Sequence, residues 1–177
     1  MIEFVLKNRR LRLHPDGVMY CRAHRNGQET KKEKWFDVKF FKHIHGYNQC
    51  NILIDGRQTN LREHRIVYYA HNQDWDIWDT SRDNCIDHIN HKRDDNSIEN
   101  LRLVTNQQNH FNRSDVKGYY WRESRNKWRA QINLNYKEIH LGYFENEEDA
   151  HNAYLEGKAK YHVIAALPIP GHAAPTD

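Results

Sequence analysis

The sequence predicts an α+β fold: a small modular protein with a hairpin-helix unit and a C-terminal three-stranded antiparallel sheet packed on one helix. Three observations predict it. Short apolar runs broken by glycine fill residues 1–58. A strand–loop–strand–helix pattern follows in "CIDHINHKRDDNSIENLRLVTNQQN" (85–109). Three strands and one long helix then occupy residues 118–162. Strands and helices occur in separate runs, which is the pattern of α+β rather than α/β folds.

In residues 1–58, Gly17, Gly27, Gly46 and Gly56 punctuate runs such as "WFDVKFF" and "CNILI", so short strands and turns are expected. This region is basic, and it is expected either to add a DNA-contacting sheet or to scaffold the next helix. That helix is "NLREHRIVYYAHN" (60–72), with Leu61, His64, Val67, Tyr68 and His71 on one face. "QDWDIWDTSRDN" (73–84) reads as a loop.

"CIDHI" (85–89) and "LRLV" (101–104) have strand character, joined by an Asp/Asn/Lys-rich loop. Thr105 followed three residues later by Gln108 is a capping box, so a helix starts at 106. Asn109 and Arg113 are four apart and are expected on one face of it. After a short linker come strands at 118–122, 127–134 and 137–143, with turns at 124–126 and 135–136. Asn146 caps a last helix with Ala150, Ala153, Tyr154, Gly157 and Tyr161 inside. The expected domains are 1–58, 59–113 and 114–163, and 164–177 is expected to be a loose tail.

Composition bounds the chemistry. The chain has 177 residues, 38% of them hydrophobic and 29% charged, so its cores are small. Five Trp, ten Tyr and six Phe oppose wholesale disorder. No apolar run approaches the roughly 20 residues that span a bilayer, and no signal peptide is evident at Met1–Arg12. Cys21, Cys50 and Cys85 include no CxxC pair, which suits a reducing, cytoplasmic setting. Cys21 and His24 with His43, His45 and Cys50 do not follow a common zinc spacing, so zinc is not expected. Charge alternates along the chain: +7 over 1–70, −4 over 71–116, +4 over 117–143 and −4 over 144–177. Basic blocks suit a polyanion and an acidic centre suits a divalent cation, although charge alone equally describes solvated surface.

Residues 85–109 collect what phosphodiester hydrolysis requires. A base must deprotonate water, and a cation must neutralise charge on the phosphate and the departing oxygen. Histidine is the side-chain type suited to act as a base near neutral pH, which makes His88 the candidate. Asp and Asn oxygens are hard ligands that suit Mg²⁺, which takes few protein donors. A His beside an Asp is commonly an ordinary pair, and Asp94, Asp95 and Asn96 read as turn-forming loop residues. The conjunction carries more: Asp-His, then "ENL" twelve residues on, then Asn after nine more.

"DHIN…DDNSIENLRLVTNQQN" resembles the HNH endonuclease motif in its phage and intron homing form, and "HRIVYYAH" (64–71) is similar to the helix that precedes it. The resemblance implies a ββα-metal hairpin-helix. It makes His88 the general base, Asp87 and Asn109 the metal ligands, and Asn100 the residue that holds the loop. Asn109 stands where many relatives carry His. Arg113 is expected on the scissile phosphate. Since adjacent strand residues point oppositely, the strand must end or twist at Asp87–His88. The implied cofactor is Mg²⁺, with Mn²⁺ as a substitute. The products are a 5′-phosphate and a 3′-hydroxyl.

"KGYYW", "KWRAQI", "HLGYF" and "EEDAHNAY" resemble the DNA-binding domain of plant ethylene-response (Apetala-type) factors. Basic and aromatic side chains on one sheet face suit a DNA groove. The expected DNA-binding residues are Arg122, Arg125, Lys127, Trp128, Arg129, Gln131 and Lys137, with Trp121 or Trp128 packed under the helix. The acidic helix start (Glu145, Glu147, Glu148, Asp149) is expected to face away from DNA. The combined reading is a phage-encoded homing endonuclease acting on double-stranded DNA in the host cytoplasm. It is expected to be a monomer that nicks one strand and touches no membrane. Its rivals are a non-catalytic DNA-binding regulator on a decayed nuclease fold and a structural or RNA-binding phage protein.

Overall fold

The computed structural model describes residues 1–25, 28–165 and 167, leaving Gly27 and most of the expected loose tail outside the described residues. The chain divides into two compact units, residues 1–103 with Leu167 and residues 104–165. The fold is mixed α+β with small sheets and few helices, as the sequence predicts.

In the first unit, β1 (Ile2–Leu6), β2 (Arg9–Leu13), β3 (Met19–Arg22) and β6 (Trp35–Asp37) form one sheet in the order β1-β2-β3-β6. Two-residue strands β4 (His24–Arg25) and β5 (Gln28–Glu29) pair between them in sequence. A second sheet runs β7 (Phe41–Lys42), β8 (Asn48–Ile54), β9 (Arg57–Arg62). Period-2 alternation decides which side is buried. Phe4 and Leu6, Leu11 and Leu13, and Cys50, Ile52 and Ile54 point into one shared core, while Glu3, Val5, Arg10, Arg12, Asn51 and Leu53 alternate with them on the other side. Each fully buried side chain of this kind contributes about 1.5–3 kcal/mol.

Helix α1 (Glu63–His71) packs against β1, β8 and β9. At nine residues it is too short to hold alone, so its buried face stabilises it. The buried residues are His64, Ile66, Val67, Tyr68 and Ala70. The sequence reading put Leu61 and His71 on this face. Leu61 instead lies in β9, paired with Cys50, and His71 is exposed. Sheet pairing overrode the helical spacing there. Residues 1–58 thus support the helix, one of their two expected roles.

The loop after α1 hangs on Arg65. Its guanidinium donates to the carbonyls of Asn84 (3.1 Å), Ile77 (2.6 Å) and Asp79 (3.0 Å), and it lies over the buried Trp75 ring. This loop delivers the chain into β10 (Cys85–His88), which pairs with β11 (Leu101–Val104).

The second unit begins inside the hairpin-helix segment. Thr105 accepts from Gln108 N at 3.1 Å, and Gln108 Oε1 accepts from Thr105 N at 3.0 Å. This predicted capping box starts α2 (Asn106–Phe111). Phe111 stacks on His162 at 3.9 Å, and Lys158 donates to the Arg113 carbonyl at 2.9 Å. Strands β12 (Tyr119–Arg122), β13 (Lys127–Leu134) and β14 (Lys137–Phe144) form an antiparallel sheet against α3 (Glu147–Tyr161). Asn146 caps α3 by accepting from Asp149 N at 2.9 Å. Ala130, Ile132, Ala150 and Tyr154 are the buried centre of this contact. Gly118 lets Tyr154 close on it, because a Cβ there would sit 2.0 Å from the Tyr154 ring.

Neither expected tryptophan is core. Trp121 is exposed and Trp128 only half-buried, and the two pair edge-on at 5.7 Å. The large side chain buried at this contact is Tyr154, from α3 itself.

Candidate active site

Strand β10 ends at His88, where the sequence predicts that the strand ends or twists. Both side chains are buried, at 6% and 5% exposure, although neighbouring strand residues point to opposite sides. The hairpin is therefore covered on both faces. A buried carboxylate and a buried imidazole each need partners, and each has its own set.

Asp87 is held by Arg102 of β11. Arg102 donates from Nε at 2.9 Å and from Nη2 at 2.8 Å, both to Oδ2. The sequence reading missed Arg102. The signal was its alternation between buried Leu101 and Leu103, which turns Arg102 to the other face of β11.

His88 faces α1. Its Nε2 lies 2.9 Å from Asn96 Oδ1. Asn96 Nδ2 donates to Glu63 Oε2 at 2.6 Å, and Asn48 Nδ2 donates to the same oxygen at 2.8 Å. Asn96 was expected only as a turn residue. Glu63 and Asn48 carried no signal, because nothing local ties the first residue of a helix or the start of β8 to a loop 33 to 48 residues on. His64 packs edge-on against His88 at 5.0 Å between ring centroids. Burial, then the neighbouring His88, Arg62 and Arg65 charges, push the His64 imidazole down to about 3, so it is neutral beside His88.

Asn100 is 7% exposed and ties the loop to the strand end. Its Oδ1 accepts from Asn90 N at 3.0 Å, and its Nδ2 donates to the Asp95 carbonyl at 2.7 Å. Its own carbonyl accepts from Ile89 N at 2.9 Å. Every bond falls on backbone within seven residues of His88, the placement a loop-holding residue needs.

Tyr47 borders the same centre, its ring 5.2 Å from His64 and 6.0 Å from His88. The guanidinium groups of Arg62 and Arg93 lie over Tyr47, at 4.9 and 5.2 Å. Both arginines are exposed, so the mouth beside His88 is cationic. Neither was singled out from sequence.

Asn109 lies on α2 in the second unit, half-buried. Arg113 departs from expectation. Helix α2 ends at Phe111, capped by the Asn112 N–H on the Gln108 and His110 carbonyls, so Arg113 lies beyond the helix that carries Asn109. Its guanidinium instead grips Asp115 at 2.9 and 2.6 Å.

On the C-terminal sheet, Arg122, Lys127 and Arg129 share one face with Tyr120 and Tyr143 by register. Trp128 falls on the opposite face with Ala130 and Ile132, toward α3, which corrects its expected place among the basic residues. Arg129 donates to the Tyr120 hydroxyl at 2.8 Å and pairs with Glu138, Lys127 pairs with Glu145 at 2.7 Å, and Arg125 lies over Tyr143 at 4.8 Å. Gln131 sits at a bulge, its N–H on the Gly118 carbonyl, and Lys137 is exposed.

Asp87 and Asn109, the ligands expected from sequence, each offer a hard oxygen, the donor type that Mg²⁺ or Mn²⁺ takes. Among the described residues there is no group of three or more His, Cys, Asp or Glu side chains placed to hold a metal ion. Cys21 and Cys50, drawn into the zinc spacing above, are buried, and burial pushes the Cys50 thiol up to about 12.

The buried Asp87–His88 step lies at a strand end, with the loop after it tied down by Asn100. The family model of HNH endonucleases matches residues 61–111, which include α1, the hairpin and α2. That match covers under a third of the chain and supports a nuclease. No curated protein and no solved structure matches it. No helix among the described residues is long and apolar enough to cross a membrane.

Proposed function

We propose that this chain is a metal-dependent, site-specific DNA endonuclease of the homing type that nicks one strand of duplex DNA as a phage-encoded monomer. The observation that carries the reading is the buried Asp87–His88 step inside the matched segment. His88 takes a proton from water, whose oxygen attacks phosphorus. The P–O3′ bond breaks and the departing oxygen takes a proton from solvent, leaving a 5′-phosphate and a 3′-hydroxyl. Asp87 and Asn109 would hold Mg²⁺, which neutralises charge on the phosphate and the leaving oxygen. Asn100 keeps the loop after His88 fixed, and Arg62 and Arg93 approach the DNA backbone. The C-terminal sheet, similar to ethylene-response domains, binds the duplex through Arg122, Arg125, Lys127, Arg129 and Lys137.

The test is cleavage of supercoiled plasmid carrying candidate targets, with Mg²⁺, Mn²⁺ or EDTA, comparing wild type with His88→Ala. Metal-dependent open-circle product from wild type alone supports the reading, and linear product would replace nicking by paired cuts. The Arg102–Asp87 pair favours one second reading, a DNA-binding regulator on a decayed nuclease fold, because the carboxylate's charge is already balanced. Duplex binding without any cutting, with metal present and the target included, would establish it.

A further inference from the structure

We propose that Asn96 and Glu63 are positioning residues that lock His88 in the tautomer protonated at Nε2, so that Nδ1 is the nitrogen that accepts the proton from water. This rests on the reading of His88 as the general base.

An ionised carboxylate only accepts hydrogen bonds. Glu63 Oε2 lies 2.6 Å from Asn96, so the side of Asn96 that faces it must be the NH₂ group. That turns the Asn96 carbonyl oxygen toward His88, 2.9 Å from Nε2. A carbonyl oxygen only accepts, so Nε2 must carry the hydrogen. A neutral imidazole has one N–H, so its lone pair is then on Nδ1. Asn48 donates to the same Glu63 oxygen at 2.8 Å and holds the carboxylate in place. The tautomer is thus set from a carboxylate two hydrogen bonds away.

The relay has a second consequence. When His88 has taken the proton, its Nε2–H still points at the Asn96 carbonyl, itself backed by the Glu63 carboxylate. His64, edge-on to the ring, limits rotation that would exchange the nitrogens. The relay joins the first residue of α1, the start of β8 and the loop after β10, so no single element contains it.

The test uses the full-length ¹⁵N-labelled protein. Ring-nitrogen shifts of His88 in its neutral form are recorded for wild type, Asn96→Ala, Glu63→Gln and Glu63→Asp, alongside kcat and KM for cleavage. The expected wild-type spectrum shows Nε2 protonated and Nδ1 unprotonated. In Asn96→Ala and Glu63→Gln the two forms mix, and kcat falls about 10- to 100-fold with KM nearly unchanged, the usual scale for removing an outer partner of an active-site group. Glu63→Asp, which keeps the carboxylate, recovers part of the shift pattern and of kcat. A wild-type ring protonated at Nδ1, or variants with unchanged ring shifts, would overturn the proposal. The two readings separate cleanly. An Nε2-protonated ring in a protein that cuts nothing removes the nuclease reading and leaves the tautomer lock. Cleavage by an Nδ1-protonated ring does the reverse.

Discussion

Arg102 sends two donors, Nε and Nη2, to a single oxygen of Asp87. The pair is well covered, with side-chain exposures of 19% and 7%. Removing one partner of such a pair strands the other's charge, at a cost of about 3 kcal/mol. Arg102→Ala should therefore lower unfolding stability by about that amount in EDTA. A divalent cation that binds Asp87 would replace the lost positive charge. Added Mg²⁺ should then raise the melting temperature of Arg102→Ala and leave an Asp87→Asn, Arg102→Ala double variant unmoved. Equal responses of the two proteins would remove Asp87 as a metal ligand.

Asn100 satisfies two backbone groups of the loop, the Asn90 N–H and the Asp95 carbonyl. Leaving them unpaired costs about 1–3 kcal/mol. Asn100→Ala should lose that much stability in denaturant unfolding. Faster amide exchange should be confined to residues 89–100, the segment its bonds close. Global exchange with no local maximum there would show that Asn100 supports the whole unit and not the loop.

His64 gives the first unit a pH dependence. Its imidazole is held neutral by burial, with its ionisation pushed down to about 3, whereas an unfolded histidine takes up a proton near 6.5. Between those values the unfolded chain binds more protons, so stability falls as pH falls, by up to about 1.4 kcal/mol per pH unit. The penalty is absent above about 6.5 and complete below about 3. His64→Phe should fold with a flatter stability profile from pH 6.5 to pH 4. A profile parallel to wild type would mean that other groups set the acid limit.

What the sequence made legible was local. Alternation and end signals fixed the hairpin strands, the Thr105–Gln108 capping box, the three C-terminal strands and the Asn146 cap, each carried by residues within a turn or a strand of one another. What it hid was long-range. Glu63, Asn48, Asn96 and Arg102 meet the Asp87–His88 step only through the fold. Leu61 left the expected helix because pairing with Cys50 outweighed its helical spacing. Arg113 left the expected helix because α2 stops at Phe111. Trp128 changed face because the strand register, not composition, decides which residues accompany the arginines.

Arg129 offers the sharpest test of the C-terminal sheet. Its guanidinium is already occupied by Glu138 and the Tyr120 hydroxyl, so its charge toward a duplex is largely cancelled. Lys137 is exposed and free to meet phosphate. If this face binds DNA, Glu138→Gln should release Arg129 and tighten duplex binding, whereas Lys137→Ala should weaken it for all sequences alike. Both effects should act on the salt dependence, since each phosphate contact adds about 0.9 to the slope of log K against log salt. Glu138→Gln should steepen that slope and Lys137→Ala should flatten it, each by about one contact. Arg129→Gln should differ in kind, changing sequence preference more than overall affinity if its side chain reaches base edges once Glu138 lets go. Binding that ignores all three substitutions would move the DNA contact off this sheet, leaving Arg62 and Arg93 beside His88 as the cationic surface to test next.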